Sequence, residues 1–338
     1  MDCIELTGSA LTGIAPHSAL MSSPLPRRVC LGRIAPKAQP SALKLESYMS
    51  FESSGPLPAS TNRREKAMRS LGRMYMNDRY GCCVFSGKAH NLGLWSANDS
   101  DSPGEVFATD AEIEKQYFDY TGGRDVGANI ASVLDIVRAK GFMASGRLYK
   151  IDGYVSVDWT NKELVKAAIL LLGACSIGFD LPGAWQNSAV WDLTNSGIIG
   201  GHDVSPIDYD EQGVYVSSWG RIYLMTWAAF LSRRWIGEMY AILDPLWYNS
   251  DMIAPTGLDA KRLREDLAKI GNGIIPDIQP PPPPVPTPEA PYLIALGNDL
   301  PSGPCTITSG GVTIQANVST ARPAGTYLLT KQDPAPPQ

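Results

Sequence analysis

From residue 83 onward, apolar positions recur with helical spacing: Val84, Phe85, Ala89, Leu92 and Trp95 fall on successive turns of one helix. A turn-forming stretch, Asn77-Asp78 followed by Gly81, precedes them and places Cys83 at the helix start. Residues 110–120 read as a short acidic helix. Residues 125–140 read as an amphipathic helix, with Val126, Ile130, Val133, Leu134 and Val137 on one stripe and Gly141 as its stop signal. The stretch 147–157 alternates as a strand does. Thr160 or Asn161 can cap a helix over 164–172, and 175–179 reads as a buried strand.

From Gly200 the pattern turns to β. A strand begins at Gly201-His202-Asp203-Val204, a polar turn covers 208–213, and a second strand covers 213–218. Residues 221–235 mix apolar and aromatic positions, 238–246 resemble a further buried strand, and 259–269 form a short charged helix.

The flanks differ in composition. Residues 1–60, rich in Pro, Ser, Ala and Gly with little periodicity, are expected to be an extended arm with at most one short helix near 41–49. The main domain is expected over 61–271. Residues 272–291 include five consecutive prolines at 280–284 and form a semi-rigid polyproline spacer. Residues 292–338, with runs such as Cys305-Thr306-Ile307-Thr308 and Val312-Thr313-Ile314-Gln315, predict a small β-rich module near the lower size limit for an independent core. Docking on the main domain, on another copy or on a protein partner is expected for it.

Composition adds exclusions. The 338 residues are 44% apolar with a net charge of -5, enough for a sizeable core and unfavourable for general nucleic-acid binding. The first 76 residues carry 10 Lys+Arg against 5 Asp+Glu but no dense basic run, which suits a solvated arm. Cysteines at 3, 30, 82, 83, 175 and 305 show no metal-ligand spacing and no regular disulfide framework, so no metal or cofactor is expected and a reducing compartment is the simpler assumption. The N-terminus lacks a basic segment before an apolar run, so no secretory signal is read there. The longest apolar run, near 167–175, is too short to span a bilayer, so no membrane partner is expected.

The chemistry centres on Cys83. A helix N-terminus offers unpaired N–H groups and a positive dipole end, both of which favour a thiolate. Thiol hydrolysis also needs a base and oxyanion donors. Three histidines are available. His17 lies in the arm. His90 shares the Cys83 helix, but two turns separate them by about 10.5 Å along the axis, beyond direct contact. His202 remains, preceded by Gly200 and Gly201, which permit close backbone approach.

Asn77-Asp78-Arg79-Tyr80-Gly81-Cys82-Cys83 before a helix, then Gly201-His202 and one hairpin later Ser218-Trp219-Gly220, resembles the papain-like cysteine peptidases. More narrowly it is similar to uncharacterised bacterial and phage proteins of that fold, through the run at 77–81, Asp125-Val126-Gly127 opening a helix, and Thr226-Trp227. The resemblance covers about residues 71–250. It implies an α+β two-lobed fold, a helical lobe plus a β lobe, with Cys83 as nucleophile and His202 as base. Asn77 takes the place of the family's oxyanion glutamine, Trp219 shields the histidine, and Ser217 stands where the family has its histidine-orienting asparagine. The function implied is a cysteine peptidase or amidase that acts on a peptide or protein substrate through an acyl-enzyme, in a cytoplasmic or virion-associated setting. The alternative is a papain-fold structural or adhesive protein with weak or absent activity, also compatible with a virion. Ser217, the arm and the spacer suit that alternative.

Overall fold

The structure is a computed structural model. It describes residues 28–36, 43–49, 57–99 and 104–247, Glu265, and the backbone of the strands Cys3–Glu5, Tyr292–Leu296, Gly303–Ser309, Val312–Val318 and Gly325–Leu329. The proline tract, His17 and nearly all of the helix expected over 259–269 lie outside the described residues.

The chain divides into units Met1–Pro281 and Pro282–Gln338. In the first, the order is β1 (Cys3–Glu5), β2 (Arg28–Cys30), α1 (Met68–Leu71), α2 (Cys83–Asn98), α3 (Asp110–Thr121), α4 (Ile130–Lys140), β3 (Phe142–Ala144), β4 (Arg147–Tyr149), β5 (Gly153–Ser156), α5 (Lys162–Leu172), β6 (Cys175–Pro182), β7 (Val190–Trp191), β8 (Ile198–Tyr209), β9 (Gly213–Ser218), β10 (Arg221–Thr226), α6 (Trp227–Phe230) and β11 (Ile236–Leu243). In the second, β12 (Tyr292–Leu296) pairs with β15 (Gly325–Leu329), and β13 (Gly303–Ser309) pairs with β14 (Val312–Val318), both antiparallel.

A seven-stranded sheet in the order β5-β11-β6-β8-β9-β10-β7 separates two cores. Strand alternation sorts the side chains. Ile207, Tyr215, Ile222, Leu224, Tyr240 and Ile242 face the layer of α2, α3 and α4. Val204, Val214, Val216, Tyr223, Met225 and Met239 face the layer of α5 and a tryptophan cluster. Helix α2 is buried on every side, which fits a central helix and not a surface one. Helix α3 begins with a capping box between Thr109 and Glu112. Of the two candidate caps for α5, Asn161 takes the role, accepting from the N–H of Glu163 and Leu164.

Four expectations change. Helix α4 begins at Ile130, capped by Asn129, and not at residue 125. Gly127 has φ +79°, outside helical space, and Asp125 turns back to accept from Gly81 N–H at 2.9 Å and from Tyr117 Oη–H. The strand expected over 147–157 is two strands, β4 and β5. The arm is not separate from the core: Val29, Leu31, Leu43, Leu45, Tyr48 and Met49 are buried in the tryptophan-side layer. Val29 lies in β2, and Leu45 and Tyr48 lie in a single 3-10 turn, Leu45–Tyr48, within the stretch where one short helix was expected; elements this short show no sequence period. Cys30, finally, is disulfide-bonded, and the β1–β2 register sets Cys3 opposite it. Spacing along the chain does not report which strands pair, so it could not reveal this.

Burial also perturbs ionisation. Desolvation raises the carboxyl pKa of Asp244 to about 7. The fold therefore holds a proton that the unfolded chain releases above its ordinary value near 3.8, and stability falls as pH rises between those two values. His90 and His202, with lowered pKa values, act in the opposite sense below their ordinary 6.5. Asp244→Asn isolates the carboxyl contribution. The variant should gain about 1–4 kcal/mol over wild type at pH 8 and little at pH 4, measured by denaturant unfolding at both pH values. An equal difference at both would refute this ionisation.

Candidate active site

Cys83 opens α2, and the preceding loop is tightly held. Tyr75 and Met76 have φ of +48° and +66°, left-handed values costly for residues with a Cβ. The Tyr75 carbonyl accepts from Ser86 Oγ at 2.9 Å and from Cys82 Sγ at 3.5 Å. These bonds fix the loop onto the first turn of α2 and fix Cys82 away from the cleft.

The sulfur of Cys83 lies against the backbone of Asp203 and Gly32 and is buried. Desolvation raises the thiol pKa strongly, and the Asp203 charge adds to this, while backbone hydrogen bonding from Asp203 and Gly32 opposes it. The helix N-terminus is present, but in a closed, dry site desolvation wins. Cys82 is likewise pushed up to about 12, and Cys175 is raised further, both chiefly by burial.

His202 lies on β8 beside Asp203, but on the opposite face. Its parity is that of Val204, so its ring enters the tryptophan-side layer. There it stacks on Trp219 at 4.2 Å and 19° and meets Phe179 edge-on at 5.9 Å. Trp219 in turn sits within the cluster of Trp191 and Tyr223. Trp219 and Gly220 form the two-residue turn between β9 and β10, with φ of +48° and +66°. Such a turn favours Asn-Gly, and a tryptophan there carries strain of order 1–3 kcal/mol. Packing of its indole on His202 and the surrounding rings offsets that strain.

His202 Nε2 and Ser218 Oγ are 2.7 Å apart. Nδ1 is buried and has no hydrogen-bond partner, so no hydrogen bond joins His202 to Cys83. Desolvation lowers the imidazole pKa to about 3, which keeps the ring neutral. The hydroxyl that meets His202 is therefore that of Ser218 and not of Ser217. The reason is parity: Ser218 shares a face with Val214 and Val216, whereas Ser217 points to the α2 side, where its hydroxyl has no partner.

Asn77 is also engaged elsewhere. Its Nδ2 donates to the Cys30 carbonyl at 3.0 Å and to the Tyr80 carbonyl at 3.1 Å, and its own carbonyl accepts from Cys30 N–H at 2.8 Å. His90 is structural: Nε2 lies 2.9 Å from the Arg73 carbonyl, and the ring packs 5.1 Å from Tyr75.

What fills the cleft is the arm. Gly32 and Arg33 N–H both donate to the Gly201 carbonyl, Ile34 N–H donates to the Ala128 carbonyl, and Ala128 N–H donates to the Gly32 carbonyl. The segment thus bonds β8 on one side and the turn before α4 on the other. The glycines make this approach feasible. A Cβ on Gly201 would lie 2.3 Å from the Arg33 carbonyl oxygen, one on Gly200 would lie 2.7 Å from Leu31 Cδ1, and one on Gly32 would overlap the Gly81 carbonyl. Gly200 and Gly201 do allow close backbone approach, and the backbone they admit is the arm.

Beneath this segment lies a charged cluster. Arg33 Nε donates to Glu238 Oε1 and Nη1 to Asp180 Oδ1. Asp203 accepts from Ser176 Oγ and faces Lys88, whose Nζ is buried with no hydrogen-bond partner. Burial, against the opposing charge of Lys88, raises the Asp203 pKa to about 7, and burial lowers that of Lys88. Arg33, Lys88, Asp203 and Glu238 were given no role from sequence, and Ser218 was read only as part of the Ser218-Trp219-Gly220 motif. The signal available was a lone charge inside an otherwise uncharged run, as in Ile236-Gly237-Glu238-Met239. Among the described residues there is no cluster of metal-ligating side chains and no helix long and apolar enough to cross a membrane.

This geometry predicts thiol reactivity. In the native chain at pH 7, iodoacetamide should modify Cys82, Cys83 and Cys175 slowly. Arg33→Ala loosens the arm and should accelerate modification of Cys83 at least roughly tenfold, with Cys82 and Cys175 unchanged in peptide mapping. Equal acceleration at all three would indicate unfolding and not opening of the cleft.

The sequence matches no family model and no curated protein. Solved structures do resemble the fold. Xylellain, a cysteine protease from Xylella fastidiosa, is 17% identical, covers 64% of this chain and 96% of its own, and superposes with a TM-score of 0.52. Procathepsin B S9 from Trypanosoma congolense is 11% identical, covers 64% and 86% of the two chains, and scores 0.49. The Carica candamarcensis cysteine protease CMS1MS2, solved with E-64, is 16% identical, covers 56% and 99%, and scores 0.43. At these identities the likeness to xylellain speaks for architecture alone: the chain has the α+β fold of the papain-like cysteine proteases.

Proposed function

We propose that the protein is a cysteine peptidase or amidase in which Cys83 is the nucleophile and His202 the base, with residues 28–36 holding the cleft closed until they are displaced. The observation that carries this reading is that the cleft already holds an extended peptide by its main chain. Asn77, Ala128 and Gly201 bond the backbone of residues 30–34, a mode that reads any sequence and suits a peptide or protein substrate.

This reading requires that the departure of the arm bring the Cys83 thiol and the His202 ring into contact. With Nε2–H donating to Ser218 Oγ, the neutral ring presents its Nδ1 lone pair, free of any partner, to take the thiol proton. The thiolate then attacks the substrate carbonyl, the imidazolium returns its proton to the leaving amine, and water releases the acyl group. Asn77 Nδ2, relieved of the Cys30 carbonyl, becomes a donor to the oxyanion. Opening also hydrates the site, which removes the desolvation that now raises the thiol pKa and lowers that of His202.

A second reading, a papain fold retained for a structural or adhesive role, is favoured by the missing hydrogen bond between Cys83 and His202. Hydrolysis of a peptide-amide panel separates the two. The Arg33→Ala chain should hydrolyse peptides faster than wild type, and adding Cys83→Ala should cut that rate by roughly 10³-fold or more with an unchanged circular dichroism spectrum. Arg33→Ala protein that labels rapidly at Cys83 yet hydrolyses nothing would favour the structural reading.

A further inference from the structure

Arg33 enters a pocket shaped to its side chain. Nε donates to Glu238 Oε1 at 2.8 Å and Nη1 to Asp180 Oδ1 at 3.1 Å. Glu238 forms the floor, its side chain 4% exposed, and Asp180 forms the rim, 58% exposed. Two glycines make the room. A Cβ on Gly178 would lie 2.6 Å from Arg33 Nε, and one on Gly237 would lie 3.0 Å from Arg33 Nη2. The Tyr240 hydroxyl also interacts with the Glu238 carboxyl, which fixes the floor of the pocket.

Charge balance shows what an emptied pocket would favour. With the arm in place, Arg33 and Lys88 face Asp203 and Glu238 in the interior. Without Arg33, Lys88 alone faces two buried carboxylates. An uncompensated buried carboxylate is costly, so the vacated pocket favours a cation. Burial already raises the Glu238 pKa, and Arg33 supplies the largest opposing influence. The two carboxylate contacts fall on different nitrogens of one planar group, a geometry that a guanidinium meets and an ammonium does not. Arg33 also directly follows Gly32, whose backbone lies against the Cys83 sulfur, so the pocket sits one residue from the thiol.

We propose that the Glu238–Asp180 pocket sets the selectivity of the cleft, and that it receives an arginine side chain from the peptide that replaces residues 28–36. Its role in turnover rests on the peptidase reading; its recognition of a guanidinium does not, and the test separates the two.

The full-length Arg33→Ala chain is unfolded thermally against agmatine, with putrescine and sodium chloride at matched ionic strength as controls. Agmatine should raise the midpoint in a saturable manner and the controls should not. Adding Glu238→Gln should weaken the agmatine effect at least roughly tenfold. In parallel, the peptide Leu-Gly-Arg-Ile-Ala-Pro, copied from residues 31–36, should bind the Arg33→Ala chain at least roughly tenfold more tightly than its citrulline form. An agmatine effect no greater than that of salt, or equal binding of the two peptides, overturns the proposal. If Arg33→Ala does not fold, the readout becomes the yield of folded chain refolded with and without agmatine, and absence of rescue overturns it. Agmatine binding together with no hydrolysis of any arginine peptide would support the guanidinium pocket and remove the peptidase reading alone.

Discussion

The arrangement of the site depends on one segment of main chain lying between two halves of the molecule. Residues 30–34 hydrogen-bond Asn77 and Ala128 on the helical side and Gly201 on the sheet side. Everything unusual about the site follows from that. The segment excludes water from Cys83, so desolvation outweighs the helix N-terminus and the thiol stays protonated. It occupies the amide of Asn77. It also delivers Arg33 into the Glu238–Asp180 pocket, beside the buried group formed by Lys88, Asp203 and Glu238. A backbone pairing of this kind is strong locally yet sequence-tolerant, so another extended peptide can compete for it.

His202 shows a second constraint, the period of two in a β-strand. Adjacent residues on β8 point to opposite layers, so Asp203 lies on the side of α2 while the His202 ring lies among tryptophans. The same rule selects Ser218 over Ser217. The strained turn at Trp219-Gly220 is tolerated because the indole it presents closes over the imidazole. Ring packing and the Ser218 contact together hold one nitrogen of His202 and leave the other without a partner. In the closed state desolvation keeps the ring neutral.

Beneath the cleft, Lys88 and Asp203 form a buried pair on facing elements, α2 and β8, and the glycines around them mark where neighbouring groups come closest. A Cβ on Gly87 would lie 2.7 Å from Asp203 Oδ2. The pair couples the helix that carries the thiol to the strand that carries the histidine. Buried charges of this kind add little net stability but penalise any packing that separates them.

Much was legible in the sequence, for identifiable reasons. The helix from Cys83 was legible because apolar spacing and turn residues report local geometry, and the buried strands from 175 and 213 were legible by the same argument. Gly200 and Gly201, two adjacent glycines within β8, announced a close backbone approach because they leave the strand without side chains there. What could not be read was whatever depends on contacts between residues far apart in the chain. The arm looked unstructured because its elements, a three-residue strand and one 3-10 turn, are too short to show a period. Ser217 and Ser218 are chemically identical neighbours, and only strand parity distinguishes them. Arg33, Asp180 and Glu238 are ordinary surface residue types by composition, and only tertiary packing brings them together in one pocket. Local chemistry is encoded by neighbours in sequence; the filling of a cleft and the pairing of buried charges are decided where neighbours in space meet.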